Sequence, residues 1–138
     1  MTELDEIVFE DAVAIANPLP VGGRAVLGTA TGLSIAALGA AAWSRMTRDS
    51  WRIDTAATPS TRWKVAAAHA AAAGLGTAVA AEPGTKTAST VGAVVGTALG
   101  QLPFLIDPLL LVRHPILGNI WQYGLPLGGA LFGANVVR

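Results

Sequence analysis

The chain of 138 residues contains no cysteine and little charge. The absence of cysteine excludes disulfides, thiolate metal sites and cysteine nucleophiles. Charged residues make up 13% of the chain, about half of their share in an ordinary soluble domain, and the formal net charge is zero. A neutral chain is not typical of a general polyanion binder. The remaining charges lie in a few short segments between apolar ones, which indicates an integral membrane protein.

Common catalytic motifs are also missing from the sequence. It has two histidines, and neither stands in one motif with a serine and a carboxylate. There is no metal-ligand spacing and no Walker or dinucleotide-binding glycine loop. We therefore predict a protein that is not an enzyme and that uses no cofactor or metal. The sequence identifies no small-molecule substrate.

Four apolar segments have the length of membrane spans, at residues 24–43, 65–81, 87–106 and 116–137. An α-helix rises about 1.5 Å per residue, so about twenty residues cross a hydrocarbon core of about 30 Å. The second segment is so rich in alanine that its neighbours must help it to insert. The turn Glu82–Lys86 separates the second segment from the third, and Pro126 kinks the fourth. The predicted fold class is an all-α integral membrane protein with about four short transmembrane helices.

Residues 1–20 form an arm ahead of the membrane domain, which covers residues 21–138. Thr2 and Asp5 resemble a capping box, and Asn17-Pro18 ends the helix that follows. Its apolar residues fall on one stripe, namely Leu4, Ile7, Val8, Ala12 and Ile15. This pattern predicts an amphipathic helix on the membrane surface. The arm is acidic where a secretory signal would be basic, and we interpret it as part of the mature protein.

A short apolar helix is expected between the third and fourth spans. Asp107 is predicted to be its N-cap, with Pro108 at the first helical position. The helix should end at His114 before Pro115 and lie in the membrane interface. The alternative role for Asp107 is that of an ion ligand.

Basic residues are concentrated in the loop 44–64, as Arg45, Arg48, Arg52, Arg62 and Lys64. The positive-inside rule places this loop inside and both termini outside. Trp43, Trp51 and Trp63 are the expected interface anchors. The mixture of arginine and tryptophan also suits contact with nucleic acid, but contact with anionic lipid explains it without a nucleic acid.

Small residues recur every fourth position in three of the spans. The rows are Gly28, Gly32, Ala36 and Ala40; Ala88, Gly92, Gly96 and Gly100; and Gly124, Gly128, Gly129 and Gly133. Such rows let a second helix approach closely in a membrane. We expect the first two rows to pack within the molecule and the last to face outward, towards other copies or subunits.

His69 is the only ionisable residue well inside a predicted span. It is a candidate for a proton relay or a pore, but five residues after Lys64 place it only about 7 Å inside the interface. A neutral histidine bonded to a neighbouring helix is therefore the preferred interpretation. Gln101, Asn119, Gln122 and Tyr123 either line a polar path or form interhelical hydrogen bonds. The sequence shows no polar stripe that continues along one helix face, as a pore would require.

The segments VLGTATGLSIAALGAAAW and VGAVVGTALG, together with the four-span architecture, resemble the small membrane proteins of haloarchaeal viruses. These are the four-span protein that lines pleomorphic, membrane-vesicle viruses and the internal-membrane proteins of tailless icosahedral ones. The resemblance implies a structural role in a virion membrane.

The function expected from the sequence is that of a structural or assembly component of a larger membrane complex. Its partners would be the lipid bilayer and other subunits or copies of itself. The alternative is a small oligomeric channel or a holin-like pore, lined by His69 and the glycine rows.

Overall fold

The computed structural model describes residues 21–47, 59–107 and 109–136. All regular structure in these ranges is helical, which confirms the all-α class for the part of the chain described. The helices are α1 (Val21–Thr47), α2 (Pro59–Ala80), α3 (Lys86–Ile106), α4 (Leu110–Arg113) and α5 (Pro115–Val136). The N-terminal arm and the predicted contacts of Arg48, Trp51 and Arg52 lie outside the described residues.

The four long helices form an antiparallel bundle. The closest neighbours are α1 with α2, α2 with α3, α3 with α5, and α5 with α1. Short connections explain the up-down order, since the turn after Ala80 and the short α4 leave no length for a crossover. One end of the bundle carries the Glu82 turn and is called the Glu82 end. The opposite end carries Arg45 and Lys64 and is called the basic end.

Two helices reach further into the basic segment than the sequence predicted. α1 continues to Thr47, and α2 begins at Pro59 instead of Val65. Arginine and lysine are good helix formers, and proline fits the first turn of a helix, so the helical pattern passes through the charges. Arg45 therefore lies in the last turn of α1, and the loop predicted at 44–64 is shorter than expected.

Glycine lets the backbones of α1 and α2 touch. A Cβ atom built on Gly28 would overlap the carbonyl group of Gly76, and one built on Gly32 would overlap that of Ala72. Further along the same row Ala36 is half-buried and Ala40 is buried. The first predicted row therefore packs within the molecule, on α2.

The second row packs against α5. A Cβ atom on each of its glycines would meet the α5 backbone, and the pairs are Gly92 with Gly129, Gly96 with Leu125, and Gly100 with Gln122; Gly133 of α5 meets Ala88 in the same way. The row expected to face outward is thus split between two faces of α5. Gly129 and Gly133 face α3, whereas Gly128 has open space and Gly124 meets only Ile120 of its own helix.

In this bundle small side chains lie in the interior and many large apolar side chains lie on the outside, which is the reverse of a soluble bundle. The main buried cluster consists of alanines and Leu33, and Phe104 is the largest side chain that is fully buried. Large apolar side chains point outward on every long helix, for example Leu38 (72% exposed), Val79 (81%), Ile106 (82%) and Phe132 (73%). Soluble proteins also expose single large apolar residues, but rarely so many of them around a core of alanine.

Neighbouring glycines of α5 provide a matched test of the α3–α5 contact. We expect Gly129→Ala to lower the free energy of unfolding by about 1–3 kcal/mol, because its methyl group would press on the Gly92 carbonyl. Gly128→Ala meets nothing within 4 Å and should be neutral or stabilising by about 0.4–1 kcal/mol. Thermal unfolding in detergent, followed by circular dichroism, measures both. Equal effects of the two substitutions would show that the contact is absent.

Candidate functional site in the bundle interior

Polar side chains line the interior of the bundle, and we call this set the polar seam. It consists of Thr29 of α1, His69 and Thr77 of α2, Ser89, Thr97 and Gln101 of α3, and Gln122 of α5, all of them buried. In α3 the seam residues and Ala93 stand four residues apart and share one face. The sequence predicted no continuous polar stripe, and in α3 the polar residues do share a face, although Ala93 interrupts their row. The four-residue spacing was the signal, and the alanine interrupted it.

A hydroxyl pair joins α1 to α2 within the seam. Oγ1 of Thr29 lies 2.6 Å from Oγ1 of Thr77. Each hydroxyl also lies within hydrogen-bond distance of the carbonyl four residues before it, at 2.8 Å from Ala25 O and 2.7 Å from Ala73 O. Because a hydroxyl has one proton and two lone pairs, one threonine donates to the other while the second donates to its own helix. The adjacent Gly28–Gly76 contact brings the two hydroxyls within reach.

His69 lies deeper in the bundle than the sequence suggested. α2 begins at Pro59, so His69 is about 15 Å from the start of the helix and only 4% exposed. Nδ1 lies 2.9 Å from the Val65 carbonyl oxygen, which can only accept, so Nδ1 donates in this hydrogen bond. His69 therefore forms its hydrogen bond within its own helix. The prediction was a hydrogen bond to a neighbouring helix. The ring of Tyr123 is the aromatic neighbour, with 6.4 Å between centroids.

Gln101 is the least satisfied member of the seam. It is 1% exposed, and neither its amide nitrogen nor its amide oxygen has a hydrogen-bond partner among the described residues. Of the other polar candidates, Gln122 is buried, Tyr123 is half-buried and Asn119 is exposed. The structure thus brings Gln101 and Gln122 to the interior and leaves Asn119 outside it.

The basic side chains at the Glu82 end have hydrogen-bond partners. Arg24 forms a salt bridge with Glu82 at 2.5 Å. Nζ of Lys86 donates to the carbonyl oxygen of Ala78 at 2.8 Å, in the last turn of α2, where a cation also complements the helix dipole. The basic residues at this end are thus tied to the connections between helices.

Asp107 does not cap the short helix as predicted. Leu109 is the N-cap of α4, and Asp107 is the C-cap of α3. Its carboxylate accepts a hydrogen bond from the Leu109 backbone N–H at 3.2 Å and pairs with Arg113 at 2.5 Å. The carboxylate therefore braces the connection to α4, which accounts for it without an ion.

The basic end presents the predicted anchors to the outside. Trp43 and Trp63 are both exposed, and so are Arg45 and Lys64. Arg62 is half-buried in the first part of α2. Tryptophan beside arginine and lysine at one level suits the headgroup layer of a bilayer.

An apolar groove runs along the outer side of the α3–α5 contact, with a volume of about 610 Å³. Its floor is formed by glycines, and its walls include Val95, Leu99 and Phe132. The described residues include no group of three or more histidines and carboxylates that could hold a metal ion.

The hydroxyl pair can be tested with a double-mutant cycle. We expect Thr29→Val and Thr77→Val each to destabilise the bundle, with a coupling free energy of about 0.6 kcal/mol and at most about 1.7 kcal/mol. The cycle needs unfolding free energies of the two single variants and the double variant in the same detergent. Thr31→Val serves as the control, because the hydroxyl of Thr31 bonds only to Leu27 of its own helix on the exposed side. Strictly additive effects would contradict the bond between α1 and α2.

Comparison with known proteins does not supply a function. No family model matches it, and searches among curated proteins and solved structures also find no match. Function therefore has to follow from the residues of the bundle and their surroundings.

Proposed function

We propose that this chain is an integral membrane protein whose four long helices all cross the bilayer. The observation that carries the proposal is the outward position of the large apolar side chains around an interior of alanine, glycine and polar groups. In water this arrangement would expose the apolar surface that drives folding. In lipid the apolar side chains contact hydrocarbon, so their outward position carries no hydration penalty, and the polar interior is shielded from the hydrocarbon.

The strongest spans are α1 and α3. Gly22–Met46 and Lys86–Ile106 are long and apolar enough to cross a membrane. Length and composition alone also fit the core helix of a soluble protein, but such a helix is mostly buried. The most apolar windows of these two helices are only 33% and 39% buried, which favours contact with lipid.

α2 and α5 are proposed as spans because they lie alongside α1 and α3. Each has 22 residues, a length of about 33 Å. Alanine lowers the apolar character of α2, yet its exposed residues include Leu75 and Val79. α5 exposes Ile116, Ile120 and Phe132 in the same way. A lipid environment for two helices of this bundle therefore extends to all four.

The basic end is proposed to face the inside of the cell or virion, with the Glu82 end outside. Arg45 and Lys64 are exposed there beside Trp43 and Trp63. At the opposite end the charge of Arg24 is neutralised by Glu82, whereas Lys86 donates to a neutral carbonyl and keeps its charge. The exposed positive charge of the described residues is therefore greater at the basic end, where Arg45 and Lys64 lie.

Single cysteines test the spans and the orientation, since the natural chain has none. Ile35→Cys, Ala71→Cys and Gly128→Cys place a thiol on exposed positions near the middle of α1, α2 and α5. We expect a membrane-impermeant maleimide to leave them unlabelled in intact membranes and to label them after denaturation. Ser60→Cys and Gly84→Cys should react from the inside and from the outside.

Labelling of the three mid-helix cysteines as fast as that of Gly84→Cys in the native protein would contradict the proposed spans. Labelling of Ser60→Cys and Gly84→Cys from the same side would mean that α2 does not cross the bilayer and would also contradict the proposed spans. Labelling of Ser60→Cys from the outside and of Gly84→Cys from the inside would leave the spans intact but reverse the proposed orientation.

Within the membrane we propose a non-enzymatic structural or assembly role. The seam holds no set of residues for catalysis, and its helices are packed by alanine and backbone contact. The partners are the bilayer and other copies or subunits. A virion membrane is the setting that the resemblance implies.

Native mass spectrometry after release in mild detergent tests this role. We expect release of the chain together with other membrane components, in many copies or in a fixed ratio.

A pore is the second candidate, because the polar seam runs through the bundle. A closed homo-oligomer that conducts ions in liposomes, with conduction lost in His69→Ala, would contradict the structural role and favour the pore.

A further inference from the structure

The amide of Gln101 is enclosed in the bundle without a protein partner. Its nitrogen offers two donors and its oxygen two lone pairs, and both atoms are buried and unpaired among the described residues. Buried polar groups in native proteins are bonded almost without exception, to protein or to ordered water. The amide therefore indicates a ligand that can both accept and donate hydrogen bonds.

Acceptors lie at the same level on the facing helix. Pro126 has no N–H, so the carbonyl of Gln122 loses the donor that an α-helix would supply. This carbonyl oxygen faces α3, because a Cβ atom on Gly100 would lie 3.1 Å from it and 3.3 Å from the carbonyl oxygen of Trp121. Gly100 immediately precedes Gln101. The residue that carries the unpaired amide is thus the chain neighbour of the residue that packs against the carbonyl freed by proline, at one crossing of α3 and α5.

A further polar atom lies one turn away on α3. Oγ1 of Thr97 donates to the Ala93 carbonyl oxygen at 2.7 Å, and its lone pairs remain able to accept. The buried polar residues of the described chain include no aspartate or glutamate. A cation here would therefore lack a counter-charge, which is costly in a low-dielectric interior.

We propose that the α3–α5 crossing at Gln101 is a binding site for water. One or more water molecules accept a hydrogen bond from Nε2 of Gln101, donate to its Oε1, and donate to the Gln122 carbonyl oxygen. Water is the neutral ligand that satisfies donors and acceptors together, and buried water serves such groups in proteins generally. The site would make Gln101 the hydrated centre of the polar seam, whether or not the bundle conducts anything.

Solid-state NMR of the full chain in lipid bilayers tests the site. We label the side-chain amides of glutamine and asparagine with ¹⁵N. The sequence has only two glutamines, Gln101 and Gln122, so their two NH₂ signals can be assigned and compared with the NH₂ signal of Asn119. We expect magnetisation from water to reach the Gln101 NH₂ group as it reaches that of the exposed Asn119. Gln101→Met, which keeps the side-chain length, should abolish this signal and leave the transfer to Asn119 unchanged.

Two outcomes would overturn the proposal. One is transfer from water to Asn119 without transfer to Gln101, which would mean a dry amide. The other is a direct coupling between Nε2 of Gln101 and a protein carbonyl, which would mean that the amide finds a protein partner. Neither outcome bears on the membrane spans, which the cysteine labels report separately.

Discussion

Contact between bare backbones is the interaction on which the rest of this bundle depends. Where Gly28 meets Gly76 and Gly92 meets Gly129, no side chain fits between the helices. With the helices this close, the main buried cluster consists of alanines and Leu33, beside the polar seam. Larger apolar side chains must then point outward, where lipid can solvate them. The close approach also brings the hydroxyls of Thr29 and Thr77 within hydrogen-bond distance.

Polar groups inside the bundle follow from the same geometry. An interior of alanine buries little apolar surface, so hydrogen bonds carry a larger share of the specificity of pairing. The hydroxyl of Thr97 donates to the Ala93 carbonyl of its own helix. Gln101 is too long for this solution, and Pro126 leaves a carbonyl near it without its usual donor. Water bound at that crossing would satisfy the hydrogen-bonding groups of the buried Gln101 amide, so the amide would not destabilise the bundle.

Composition and spacing were enough to predict the helical class and the rows that pack within the molecule, because both are local properties of the sequence. The pairing of faces was not predictable in this way. Gly128 and Gly129 are adjacent in sequence and chemically identical, yet only Gly129 meets another helix. The start of α2 at Pro59 follows from local helix propensity that the predicted loop at 44–64 left out of account, and it places His69 towards the middle of its helix. Asp107 was assigned to the wrong helix end because its partners, Leu109 and Arg113, follow from the path of the chain.

The central claim is that lipid, not water, surrounds the outer face of the bundle. Alkaline carbonate extraction of membranes that contain the full chain tests it most directly, because this treatment releases peripheral proteins and leaves spanning ones in place. The account predicts that the chain stays in the membrane fraction and needs detergent to leave it. Release into the aqueous fraction, as a folded protein that remains dispersed without detergent, would contradict the account.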